Sequence, residues 1–245
     1  MAELRTFDDL DGLARGAADE IAKSAREAIA ARGRFTIALS GGSTPKPAYR
    51  LLAQEPGIDW DRVHVFWGDE RHVLPDHPDS NFGMAMDTLL SKVPISPDNI
   101  HRMRTEKPDA ERVAEEYAWT LRSDFDLEGA ELPRFDLVLM GLGADGHTAS
   151  LFPGSEAVRE RSRLVIAPWV RSLGVYRITL TAPVFNHAAL ALFLVSGEEK
   201  AEALKTVLEG DFQPDRFPAQ IVRPEDGRLL WLVDRAAARC LREVN

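Results

Sequence analysis

The chain has one cysteine, Cys240, in 245 residues, so no internal disulfide can form and a thiolate zinc site is excluded. It has no stretch approaching 18 consecutive apolar residues, which argues against a membrane-spanning helix. Positive charge is in deficit: 30 Lys and Arg stand against 39 Asp and Glu, a formal charge of −9. Such a chain repels polyanions, so nucleic acid is a poor partner, whereas a small anion needs only a local positive site. No internal repeat, low-complexity tract or linker breaks the sequence. The opening Met-Ala-Glu-Leu-Arg carries no apolar leader run, and the expectation is a cytoplasmic protein with no membrane partner.

The residues present are those of a globular domain. Apolar residues make up 44% and charged residues 28%, enough for a sizeable core, and residues 1–245 read as one α/β domain. Residues 8–32 predict a helix, with Leu10, Leu13, Ala17, Ile21, Ala25, Ala28 and Ile29 on one face and Gly33 as its stop. Phe35 to Leu39 predicts a buried strand, after which Ser43 or Thr44 is expected to cap a helix and Pro45 to open it. Val63 to Trp67, Phe135 to Met140, Leu190 to Val195 and Leu229 to Val233 predict further strands. Leu164 to Ala167 and Arg177 to Thr181 are two more candidates. Helices are expected over 108–125, over 198–208 and at the C-terminus, while the Pro-rich stretch 73–97 reads as a long connection. Continuous apolar strands alternating with helices imply a largely parallel sheet sandwiched by helices.

In such a sheet, ligands bind beyond the carboxyl ends of the strands. Four predicted strands end in glycine-rich or charged segments: Gly41-Gly42-Ser43-Thr44, Gly68-Asp69-Glu70-Arg71, Gly141 to His147, and Gly197 to Lys200. The first pairs close backbone approach with a helix start and two hydroxyls, which suits a phosphate. It is not a Walker A loop, because Lys46 lacks the preceding glycine. The third matches G-x-G-x-x-G formally, but Phe152-Pro153-Gly154 cuts short the helix that a dinucleotide site needs. What remains there is His147, suited to proton transfer near neutrality, with Asp145 two residues away to orient it. Arg71 suits bidentate contact with an anion, whereas Arg177 and Lys200 are unremarkable alone. The other histidines (His64, His72, His77, His101, His187) form no convincing metal set and read as structural or surface residues.

Three segments together resemble the 6-phosphogluconolactonase family: Leu39 to Pro45, Trp67 to Arg71 with Ser80-Asn81 beyond it, and Gly141 to Pro153. The resemblance continues through Arg177 to Leu180 and Gly197 to Lys200. It implies a modified Rossmann-like fold shared with glucosamine-6-phosphate deaminases, and hydrolysis of 6-phospho-D-glucono-1,5-lactone without metal or organic cofactor. By matching position, it implies His147 as general base with Asp69 and Arg71 alongside. Gly41, Gly42, Ser43, Thr44, Arg177 and Lys200 are then the phosphate-binding set, with Asp145 in support. The expected partner is that small phosphosugar lactone, and the expected state a monomer or weak homo-oligomer. Deaminases are similar in the Asp-Gly-His turn but continue it as His-Ile-Ala-Phe-Asn-Glu-Pro. Here Phe152 stands where their glutamate acts, and Arg71 where they typically carry tyrosine.

Overall fold

The computed structural model describes residues 2–171 and 173–242. Six strands form one wholly parallel sheet: β1 (Glu3–Phe7), β2 (Phe35–Leu39), β3 (Val63–Trp67), β5 (Leu137–Gly141), β9 (Leu190–Val195) and β10 (Arg228–Asp234). Their spatial order is β1-β10-β9-β5-β2-β3. A smaller antiparallel sheet runs β4 (Asp69–Arg71), β8 (Val175–Leu180), β6 (Val165–Ile166), with β7 (Trp169–Val170) also paired to β8. The helices are α1 (Leu10–Arg32), α2 (Pro45–Leu52), α3 (Asn81–Thr88), α4 (Ala110–Asp124), α5 (Ala182–Asn186), α6 (Ala201–Glu209) and α7 (Arg235–Ala238). None of them is long and apolar enough to cross a membrane.

The parallel strands form where the side chains fit burial on both faces. β2 and β9 are buried at every position, and β3 and β5 at all but one each. α1 starts where the Asp9 carboxylate accepts the Gly12 N–H at 2.8 Å and stops at Gly33, whose φ of +77° an L side chain rarely adopts. Its buried face includes Leu13, Ala17, Ile21, Ala25 and Ala28, and the alanines let the helix pack closely against β2 and β10.

Leu164 to Ala167 and Arg177 to Thr181 contain strands as expected, but these lie outside the parallel sheet, because β6 and β8 pair with each other and β8 pairs with β4. The 73–97 stretch is not all connection, since it contains α3. Finally, the edge strand β1 went unread, because charged and exposed residues give it no apolar signal. Ion pairs from Arg5 and Arg228 to the buried carboxylate of Glu20 hold this edge to α1.

Because the six strands run the same way, the segments after β2, β3, β5 and β9 all emerge at one edge. β2 lies between β3 on one side and β5 on the other, so the chain's winding reverses between β2 and β5. That reversal opens the crevice where open α/β sheets bind their ligands.

Candidate active site

A cleft of about 300 Å³ lies at that crevice. It is lined by Ser40 to Pro45 after β2, Asp69 and Arg71 of β4, Met140 to Gly143 and His147 after β5, and Ser196, Glu199 and Lys200 after β9. All four segments singled out in the sequence therefore contribute to a single cleft.

The loop after β2 is shaped by two buried side chains. Tyr49, fully buried on α2, donates its hydroxyl to the Ser40 carbonyl at 2.8 Å and accepts the Ser40 N–H at 3.1 Å. Burial pushes this phenol well above its ordinary pKa, so it stays a neutral tether. A Cβ on Gly41 would lie 1.7 Å from Asn81 Oδ1, so only glycine lets the loop pass that buried side chain. The expected helix cap is absent. Thr44 is already helical (φ −65°, ψ −44°) and makes no capping bond, because a cap needs the extended backbone that turns its hydroxyl toward the helix N–H groups. The hydroxyls of Ser43 and Thr44 thus stay unspent on the helix, and both residues line the cleft.

The loop after β5 closes on itself. Gly143 N–H donates to the His147 carbonyl at 2.8 Å, and Gly146 N–H donates to the Gly143 carbonyl at 3.0 Å. His147 Nδ1 lies 2.5 Å from Asp145 Oδ1, which also accepts the His147 backbone N–H at 3.1 Å. An ionised carboxylate can only accept, so the pair assigns the ring proton to Nδ1 and leaves Nε2 a free base. Burial works against the charge on Asp145, but the His147 N–H and imidazole outweigh it and hold the carboxyl below its usual range. The His147 ring packs on Phe152, with centroids 4.4 Å apart. Ala149 sits at φ +47°, a left-handed conformation costing about 1–3 kcal/mol in a non-glycine residue. The neighbouring Ser150 hydroxyl donates to Asp69 Oδ2 at 2.6 Å.

The charged segment after β3 divides its labour. Asp69, buried yet lining the cleft, accepts Ser150 on one oxygen and faces Asn81 Nδ2 at 3.5 Å on the other. Glu70 points away and accepts the backbone N–H groups of Arg71, Asn81 and Phe82, so it anchors the first turn of α3. Burial pushes its carboxyl up to about 7, against the pull of those donors. Arg71 lines the cleft and donates to the Asp79 carbonyl at 2.8 Å. Arg177 does not line the cleft. It stands directly across from Arg71 in the β4–β8 pairing, and burial, with Arg71's charge second, lowers its pKa. Two guanidiniums side by side repel each other and favour an anion beside them. Lys200 ends the turn that follows Gly197, whose N–H is held by Asp234.

Asn81, Ser150 and Glu199 were not read as site residues. A signal for Asn81 lay in the Ser80-Asn81 pair, whereas the Ser150 contact with Asp69 spans 81 positions and has no local signature. His72 is structural, with its ring nitrogen 2.7 Å from the Lys107 carbonyl. Sequence spacing suggests no metal set, yet the fold brings His64, His101 and Asp124 together elsewhere on the molecule.

Fold and cleft together define an α/β protein with a polar, loop-built site at the carboxyl edge of a parallel sheet. Residues 8–231 match the family described as glucosamine-6-phosphate isomerases/6-phosphogluconolactonase, and the chain belongs to that family. It is 45% identical over 216 residues to a 6-phosphogluconolactonase of Synechocystis sp., an alignment covering 88% of each chain. Its fold is similar to that of 6-phosphogluconolactonase from Trypanosoma brucei, with TM-score 0.89, 30% identity and 99% of both chains covered. A monomeric glucosamine-6-phosphate deaminase shares the fold at TM-score 0.82 and 22% identity, covering 97% of this chain and 99% of its own.

Proposed function

We propose that this chain hydrolyses 6-phospho-D-glucono-1,5-lactone to 6-phospho-D-gluconate, the second step of the oxidative pentose phosphate pathway, with His147 as general base. The observation that carries the reading is the His147–Asp145 pair at 2.5 Å, in a cleft whose far wall offers the uncommitted hydroxyls of Ser43 and Thr44 and the Lys200 ammonium. The names of the family's similar members support the substrate. Phe152 favours lactone hydrolysis over deamination, since a phenyl ring against the imidazole cannot relay a proton.

In the proposed reaction, the Gly41–Thr44 loop and Lys200 hold the phosphate, with Arg177 adding positive charge from behind the cleft lining. His147 Nε2 takes a proton from the water that attacks C1, and Asp145 stabilises the resulting imidazolium. Arg71 or loop N–H groups offset the charge on the tetrahedral oxygen. The intermediate collapses by breaking the bond from C1 to the ring oxygen, which receives the proton from His147. Asp69, held by Ser150 and Asn81, orients the water or the sugar hydroxyls.

The test generates the lactone in situ with glucose-6-phosphate dehydrogenase and follows its hydrolysis above the spontaneous rate. His147→Ala should lower kcat by about 10²–10⁴-fold, the usual contribution of a general acid–base group. Wild-type turnover in that variant would remove His147 from the mechanism. Ammonia release from glucosamine 6-phosphate, with no lactone hydrolysis, would transfer the chain to the deaminase branch.

A further inference from the structure

Away from the cleft, three donor atoms converge. His64 Nδ1 lies 3.3 Å from His101 Nε2, and Asp124 Oδ1 lies 3.6 Å from the first and 3.5 Å from the second. They come from β3, from the connection that follows Ile100, and from the last residue of α4. His64 is the second residue of β3, at the end opposite the cleft. Four residues of strand, about 13 Å, separate it from Gly68.

Hydrogen bonding alone satisfies this triangle poorly. If one ring nitrogen carries a proton, it can serve either the other ring or the carboxylate, and a pair of lone pairs is left facing each other. If both carry protons, both must reach Asp124 Oδ1 across 3.6 and 3.5 Å, longer than a normal hydrogen bond. A cation at the centre satisfies all three donors at once.

The dimensions select the cation. A triangle with sides of 3.3, 3.5 and 3.6 Å has a point about 2.0 Å from every corner. Zinc takes imidazole nitrogen at about 2.0–2.1 Å and carboxylate oxygen at about 2.0–2.2 Å, often as two histidines and one carboxylate with the fourth position open. Calcium needs about 2.3–2.6 Å and prefers oxygen donors. The donors are also preset. The His101 backbone N–H is held by the Val65 carbonyl at 2.8 Å, and its ring stacks on Phe66 at 4.3 Å. Arg34 binds the other carboxylate oxygen of Asp124 at 2.5 Å, leaving Oδ1 for the site. The three side chains are 14–22% exposed, so an ion and a solvent ligand have access.

We propose that His64, His101 and Asp124 form a structural site for a zinc-type divalent ion, closing with solvent as the fourth ligand and pinning the connection at His101 to β3 and α4. Arg34 brings positive charge close to the ion, so the site is weaker than an all-neutral or thiolate one.

The test is a calorimetric titration of the chelator-stripped full chain with Zn²⁺ alone, and with Co²⁺ to read coordination from its visible bands. The expected result is one equivalent bound, a Zn²⁺-dependent rise in Tm, and four- or five-coordinate nitrogen/oxygen cobalt bands. His64→Gln and His101→Gln should each weaken binding by more than the roughly 10–100-fold that loss of an outer-shell partner costs. Both variants should keep the metal-free far-UV spectrum, and His64→Gln should keep metal-free lactone hydrolysis. His147→Gln should leave the Tm response intact. No binding at millimolar Zn²⁺, or binding that survives His64→Gln and disappears with His147→Gln, would overturn the assignment.

Discussion

Replacing Gly143 with alanine tests the His147–Asp145 pair while leaving both residues in place. The Gly143 φ lies outside the left-handed range, so no left-handed strain opposes alanine, but its Cβ would fall 2.1 Å from His147 Nδ1 and 2.6 Å from Asp145 Oδ1. Ordinary contact begins near 3.4 Å, so the imidazole must retreat by about 1.3 Å, the difference between 3.4 and 2.1 Å. Displacement of about 1 Å in a reacting group can cost roughly 10²-fold in rate. Gly143→Ala should therefore lower kcat on the lactone by about 10²-fold. KM should change little, because the phosphate loop belongs to β2 and Lys200 follows β9. The His147 ring is 30% exposed and can swing into the cleft, so unfolding stability should drop less than the roughly 1–3 kcal/mol of an overpacked core. The methyl acts through the ring, so the double variant with His147→Ala should be no slower than His147→Ala alone. A folded Gly143→Ala protein with wild-type kcat, or a double variant whose losses multiply, would refute this reasoning.

Glu70 carries a pH signature. Its buried carboxyl titrates near 7 in the fold, against 4.5 for the free group. Between those values the unfolded chain ionises first, so the contribution of Glu70 is full below pH 4.5 and fades as pH rises through 7. The rise from 4.5 to about 7 corresponds to about 3 kcal/mol. The stability of wild type relative to Glu70→Gln should thus fall by up to that amount between pH 4.5 and 8, measured by urea melts; a constant gap would contradict it. Lys200→Ala should raise KM by about 10–100-fold with kcat little changed, as expected for losing a charge-assisted hydrogen bond of about 1.5–3 kcal/mol. An unchanged KM would take Lys200 out of the phosphate site.

Legibility in the sequence followed burial. The central strands were readable because both faces are covered, which makes a strand such as Phe35 to Leu39 a continuous apolar run. Apolar runs do not report their partners, however. Arg177 to Thr181 reads as a strand, but only its pairings, antiparallel to β4 and β6, show that it belongs to a second sheet. α3 went unread although Ser80 caps it locally by accepting the Gly83 N–H, because it lies in a Pro-rich stretch and two more of its first N–H groups are satisfied by Glu70, 11 and 12 positions back.

The site divides in the same way, and the division bears on what its residues do. His147 and Asp145 were legible because two residues in a glycine-bracketed turn form a complete pair with no help from elsewhere. Asp69 was legible as a charge but not as a role, since its partners are the distant Ser150 and Asn81. Those partners narrow it. A carboxylate that accepts Ser150 at 2.6 Å and faces an amide on its other oxygen is fixed in place by those two donors. It is thereby a well-placed acceptor, suited to orienting a water or a hydroxyl. On the proposed chemistry, the proton then has one place to go, the His147 Nε2 that the Asp145 contact leaves free.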